Sequence, residues 1–260
     1  MYLLEINKST GIHSEEVAVA AELLSKKAWM EMKENSDLFQ MVDLRDLCNN
    51  NISPNAVPVG SIEFCERILG RRLSATNIPK GLRDPMYTGR KVTDADSSTL
   101  SGVFKKYSAK ELFVKSATQC KCSYTGIYKP NDKLPEDKYF VSEVMKVEAE
   151  WRCFVWRGQI LDIRRYAGDY TAQLSNAAIQ MVKNMVTAAE AEFNHKMPAY
   201  VIDIGVIENK ELPVIIEVHN FIACGLYGFH DYRILGMMKD GAAAERSAEA
   251  RAQNRGGETT

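Results

Sequence analysis

The chain has 260 residues, 45% of them hydrophobic and 26% charged, with 33 Lys and Arg against 34 Asp and Glu. That length allows one compact domain or two small lobes with a sizeable core. The formal charge of -1 leaves no global basic field for a nucleic acid backbone or an anionic membrane. The start, MYLLEINKST, lacks a basic segment followed by an apolar one, and no stretch reaches the roughly 18 uncharged apolar residues of a spanning helix. A cytoplasmic protein with no membrane and no clear nucleic acid partner is expected. The six cysteines (Cys48, Cys65, Cys120, Cys122, Cys153, Cys224) form no CxxC pair, which argues against a disulfide framework or a structural zinc. Cys120 and Cys122, flanking Lys121, read as ordinary thiols.

In chain order, residues 14–34 carry the apolar spacing of an amphipathic helix, Val17, Ala21, Leu24, Ala28 and Met32, with Ser14 as its cap. Short apolar runs at 39–44 and 56–70, separated by Asn, Pro and Gly, indicate alternating strands and helices, a small α/β lobe. From Thr76 to Ser101 the chain is polar and punctuated by Pro79, Gly81, Pro85 and Gly89, which suits a long connection or lid. Strand-like runs follow at 111–117, 123–130, 138–147 and 150–168, the last broken into a hairpin at Arg157, Gly158 and Gln159. A helix is expected over about 171–195, then strands at 199–207 and 213–221. The tail from Gly241 is rich in Ala, charge and Gly, so it reads as frayed helix or disorder, dispensable for folding.

Three groups of residues could carry chemistry. Asp203 and Glu217 each sit amid β-branched residues on adjoining strands; such carboxylates either face solvent or share a cation between them. Hard oxygen donors of this kind suit magnesium. With a three-residue turn at Asn209, Lys210 and Glu211, Asp203 falls opposite Glu217, and His219 joins the same face while Asn220 points away. Lys115, at a strand end before a flexible loop, could hold a phosphate; read as an exposed strand-end residue, it contributes little to folding. Arg152, Arg164 and Arg165 could clamp a phosphoryl group or form surface ion pairs with Glu148, Glu150 and Asp162.

Taken in order, the segments VGSIEF (59–64), LFVKSATQCKCSYTG (112–126), YFVSEVM (139–145), EWRCFV (150–155), IRRYAG (163–168), VIDIG (201–205) and IIEVHNFIACGLYGF (215–229) resemble the ATP-grasp superfamily. The nearest likeness is to its small RimK-like members often carried by bacteriophages. The resemblance implies two α+β lobes clasping a nucleotide, at about 96–140 and 141–240, preceded by an α/β lobe over 1–95 and followed by a flexible tail, 241–260. It implies that Lys115 and the loop 116–126, Lys121 included, contact the nucleotide phosphates, and that Glu143, Val144 and Met145 form the hinge beside the adenine. Arg152 and Arg165 would stabilise the transferred phosphoryl group, with Arg164 on the opposite face, and Asp203 and Glu217 would bind magnesium. The family's Glu-x-Asn pattern is replaced here by Glu217-Val218-His219, followed by Asn220, so either His219 or Asn220 completes the metal site. The loop has a single glycine, Gly126, which implies a loose grip or one completed by substrate.

The implied activity is an ATP-dependent carboxylate–amine ligase acting through an acyl phosphate. ATP and Mg2+ are its cofactors; an amino acid, peptide or protein carboxylate and an amine acceptor are its substrates. The alternative is a non-catalytic nucleotide-binding or partner-binding protein that kept the fold. Nucleotidyl transfer through Lys115 is disfavoured, because Lys115-Ser116-Ala117-Thr118 is not a Lys-x-Asp-Gly arrangement.

Overall fold

The computed structural model describes the backbone of residues 1–11, 13–49, 52–208 and 210–256, with side chains over the same ranges except 48–49 and 248–256. In chain order the elements begin with β1 (Tyr2–Glu5), α1 (Glu15–Met30), α2 (Asn35–Leu38), β2 (Phe39–Val42), β3 (Val57–Val59) and α3 (Ile62–Leu69). They continue with α4 (Pro85–Thr88), β4 (Val92–Asp96), α5 (Leu100–Tyr107), β5 (Leu112–Ser116), β6 (Gly126–Tyr128) and β7 (Lys138–Glu143). Last come β8 (Val147–Trp156), β9 (Gln159–Gly168), α6 (Asn176–Phe193), β10 (Ala199–Ile207), β11 (Val214–Asn220) and α7 (Ile234–Gly256). The chain divides into two compact units, one of Met1–Leu73, Met197–Tyr200 and Asn220–Thr260, the other of Ser74–Lys196 and Val201–His219.

In the first unit a parallel sheet runs in the order β2, β1, β3. Its strands are short and apolar because helices cover them, as parallel sheets require. Val17, Ala20, Leu23, Leu24 and Ala28 form the buried face of α1, and Phe64 and Cys65 that of α3. The stretch expected to be a flexible tail is helical through Gly256, and Ala242 and Glu245 are 0% and 3% exposed. What makes this docking possible is the absence of a side chain at Gly241: a Cβ there would overlap the carbonyl oxygen of Phe221. Close backbone approach and a polar interior stand in for large apolar residues. The Asn220 Nδ2 donates to the Gly241 carbonyl at 2.7 Å and to Glu245 Oε1 at 3.2 Å, and Arg71 Nη1 donates to the Glu245 carbonyl at 2.6 Å.

The second unit holds an antiparallel sheet in the order β4, β7, β5, β6. The polar segment 76–101, read from sequence as a connection, supplies its edge strand β4 and leads into α5. Val92 to Asp96 pairs with β7 although only two of its five residues are apolar; an edge strand needs few apolar residues, which is why the pattern hid it. The other sheet runs in the order β11, β10, β8, β9. Its long hairpin turns at Arg157 and Gly158, with φ of 52° and 76°, as a two-residue turn of the primed type demands. On α6, capped by Ser175, whose hydroxyl accepts the Ala178 N–H at 3.1 Å, the buried stripe is Ala178, Met181, Val182, Met185, Val186, Ala189 and Phe193. Each large side chain buried there contributes roughly 1.5–3 kcal/mol.

Candidate functional site

Two ion pairs organise the site in the second unit, one within the β11–β10–β8–β9 sheet and one made to it by Lys115 from β5 of the other sheet. Asp203, in the middle of β10, is 2% exposed and accepts both arms of Arg152, from Nε to Oδ1 at 2.8 Å and from Nη2 to Oδ2 at 2.7 Å. Such a fork-to-fork pair is how a carboxylate can be buried in a strand. Glu217, on β11, accepts the Lys115 ammonium at 2.9 Å and the Thr76 hydroxyl at 2.9 Å on the same oxygen. Lys115 also donates to Thr76 at 3.2 Å and lies 5.3 Å from the centre of the Phe140 ring. Burial alone would raise the Glu217 carboxyl, but Lys115 first and His219 next hold it down to about 2.

Asp203, Glu217 and His219 each offer a ligand atom, all within 4.8 Å of one another. The expected shared face is therefore present; of the turn read as its cause, Asn209 lies outside the described residues. Two carboxylates and an imidazole at this spacing fit a single divalent cation. The Asn220 amide nitrogen is turned onto α7. Of the two residues the sequence left undecided, His219 is the one that stands with both carboxylates. The imidazole moves the site away from an all-oxygen shell, toward metals that accept nitrogen as well as oxygen.

Lys115 is 8% exposed and ion-paired, so the reading of an exposed lysine that contributes little to folding is corrected. The expectation that Arg165 shares a face with Arg152 is also overturned. After the turn the pairs are Trp156 with Gln159 and Val155 with Ile160, but then Phe154 pairs with Asp162 and Arg152 with Arg164. Leu161 is thus an extra residue on β9, and one extra residue moves the side chains after it to the other face, as far as a second shift at Tyr166. Arg164 consequently shares the face of Arg152, while Arg165 lies opposite Trp151 and donates to the carbonyls of Asp169, Tyr170 and Ala172.

The structure brings in residues the sequence did not single out. Thr76 reaches Glu217 because Asn77 exchanges two backbone hydrogen bonds with Val218 at 3.2 and 2.9 Å, adding a bridge to the outer edge of β11. Tyr166 lies beneath the Arg152 guanidinium, 5.4 Å from it, and donates to Glu150 at 2.6 Å. Neither stands in a pattern that single-sequence reading could find. At the expected hinge, Glu143 accepts the Lys91 N–H at 2.8 Å, Val144 is 42% exposed, and Met145 Sδ receives an Arg90 N–H at 3.6 Å. Lys121, in the loop after β5, is exposed and has φ of 49°.

No curated protein matches the sequence. Solved structures resemble it in fold. A D-alanine–D-alanine ligase from Bacillus anthracis has a TM-score of 0.52 at 15% identity, covering 95% of this chain and 98% of that one. A RimK-domain ATP-grasp protein from Sphaerobacter thermophilus has a TM-score of 0.51 at 12% identity, covering 95% and 99%. The ATP-grasp ligase PsnB, complexed with a minimal precursor, has a TM-score of 0.50 at 13% identity, covering 94% and 98%. A family model described as an ATP-grasp domain, the second family of its clade, matches residues 87–237. That span is more than half of the chain, and it contains Lys115, Arg152, Asp203, Glu217 and His219. The chain belongs to this family of ATP-grasp proteins and has their fold.

Proposed function

We propose that the protein is an ATP-dependent carboxylate–amine ligase that forms an amide and releases ADP and phosphate. The observation that carries the reading is the linkage of Lys115, Arg152, Asp203, Glu217 and His219 in one cluster, within a chain of the ATP-grasp family. In the first step a substrate carboxylate oxygen attacks the γ-phosphorus of ATP. The bond from that phosphorus to the bridging oxygen breaks, and ADP leaves with the electron pair. The second step is attack of a neutral amine on the acyl phosphate carbonyl, with phosphate as leaving group and one proton released from the amine. Neither step needs a strong base, so positioning and neutralisation of charge carry the rate.

Lys115 has three N–H donors; Glu217 and Thr76 use two, and the third can meet a phosphate oxygen as a point charge. Arg152, with Arg164 beside it by register, supplies guanidiniums for the transferred phosphoryl group, the part that Arg165 was expected to share. Asp203, Glu217 and His219 would hold Mg2+ or a similar divalent cation. That cation neutralises phosphate charge. Glu143, Val144 and Met145 would line the adenine end.

The test is ADP formation that depends on both a carboxylate and an amine, with hydroxylamine trapping the acyl phosphate as a hydroxamate. A mass shift in peptides or proteins incubated with ATP identifies the acceptor. Nucleotide binding without ADP formation, across a panel of amino acids and peptides, favours the alternative of a binding protein that kept the fold.

A further inference from the structure

The loop between β5 and β6 is poor in glycine, and both its ends are fastened to one carboxylate. Asp137, just before β7, accepts the Ser116 hydroxyl at 2.6 Å and the Thr118 hydroxyl at 2.8 Å from the near end of the loop. From the far end it accepts the Tyr124 hydroxyl, and its own neighbour Lys138 donates a backbone N–H at 2.7 Å. Ser116 extends the same network inward, accepting the N–H groups of Thr118 and Gln119 at 3.1 and 3.0 Å. Tyr124 is further fixed by an edge-on contact with Tyr139, 6.1 Å between centroids, and by the Tyr128 hydroxyl on its carbonyl at 2.5 Å. Burial works against ionisation of Asp137, but the hydroxyls of Ser116, Tyr124 and Thr118 outweigh it and hold the carboxyl at about 2. Three hydroxyls on one ionised carboxylate form a strong, directional clasp.

We infer that Asp137 is a positioning residue for the nucleotide, tying the two ends of the loop together so that Lys121 and the loop backbone are held ready over the phosphates. This rests on the proposed reading of that loop as the cover of the ATP phosphates. Asp137 itself need not touch the nucleotide. Its carboxylate fixes one loop conformation before binding and so lowers the ordering cost at the moment of binding. The thiols of Cys120 and Cys122, both half-buried, report on that order from within the loop.

The experiment measures ATP binding, steady-state kinetics, melting temperature and the rate of thiol labelling for the parent and for Asp137→Ala, Asp137→Asn, Tyr124→Phe and Lys115→Ala. For Asp137→Ala the ATP dissociation constant and KM should rise about tenfold, equivalent to roughly 1.4 kcal/mol. In that variant kcat at saturating ATP should change less than about twofold, because bound ATP closes the loop again. Labelling without ATP should accelerate and return to the parent rate when ATP is added. Asp137→Asn, which keeps one acceptor oxygen, should fall between. Tyr124→Phe keeps the ring contact with Tyr139 and loses one hydroxyl, so it gives a milder version of the same pattern should Asp137→Ala fail to fold. A lower melting temperature with unchanged ATP affinity and unchanged labelling overturns the inference and leaves Asp137 a purely structural residue. Weakened binding in Lys115→Ala beside parent-like binding in both Asp137 variants overturns the inference alone. No ATP binding by the parent overturns the reading of the loop and the inference with it.

Discussion

Removing the Arg152 guanidinium should unlock Asp203 and so measure what the buried pair contributes. In Arg152→Ala the Asp203 carboxylate, 2% exposed, loses both of its charge-assisted hydrogen bonds, at 2.8 and 2.7 Å. It is left beside a second carboxylate, Glu217, within the same cluster. Breaking one partner of a buried pair costs roughly 3–5 kcal/mol, since the other charge is left uncompensated. For a chain of this size that corresponds to a fall of about 6–20 °C in melting temperature. A divalent cation offers the carboxylates a replacement charge. Millimolar Mg2+ or Mn2+ should therefore raise the melting temperature of the variant more than that of the parent. Scanning calorimetry of both proteins at pH 8, with and without metal, reads both effects. A variant that melts within about 2 °C of the parent at pH 8 would refute the claim that Arg152 holds Asp203 in the sheet. Equal metal-induced shifts in the two proteins would refute the exchange of guanidinium for cation.

Lys115→Ala should both weaken ATP binding, by the loss of a charge-assisted contact of about 1.5–3 kcal/mol, and lower the melting temperature, because Glu217 loses its ion pair; nucleotide titration and thermal melting check the two separately. The Glu217 carboxyl lies near 2, below its ordinary 4.5. Its contribution to stability is thus complete above about pH 4.5 and is lost as the pH falls toward 2. Since Lys115 is the main cause of that lowering, the parent should lose more stability between pH 5 and 3 than Lys115→Ala does, in chemical denaturation at each pH. His219→Asn exchanges a nitrogen donor for an oxygen donor and should shift relative affinity from Mn2+ toward Mg2+, by at least severalfold in metal titrations. Gly241→Ala drives a methyl into the Phe221 carbonyl and should cost about 1–3 kcal/mol; a parent-like melting curve would mean that α7 docks without that close approach.

Much of this was legible beforehand because it is written in period and punctuation. Runs of β-branched residues announced β10 and β11, the helical stripe announced α6, and the Arg157-Gly158 dipeptide announced the hairpin turn. Asp203, Glu217 and Lys115 stood out because charged residues in apolar strands are conspicuous. What escaped has no such signature. A bulge at Leu161 depends on how two strands fit together, and no residue in that strand marks it. Thr76 sits in a stretch whose composition reads as loop, and its importance comes from a bridge between Asn77 and Val218, far apart in sequence. The docking of α7 failed to show for a related reason. Hydropathy rewards large apolar side chains, whereas beyond its buried Ile234, Met237 and Met238 this helix is held by the lack of one at Gly241 and by a buried Asn220–Glu245 contact.

The extra residue in β9 also changes how this chain should be set beside others of its kind. Column by column, an arginine one place further along looks equivalent to one in a relative, but in a strand one place is half a turn. Relatives that lack the bulge will carry their face-sharing arginine at the column of Arg165, and only a single-residue gap near Leu161 restores the physical correspondence with Arg164. The same arithmetic makes deletion of Leu161 a rotation of the strand beyond it. No charge is added or lost, yet Arg164 and Arg165 exchange faces, and activity in that variant would depend on which guanidinium now stands beside Arg152.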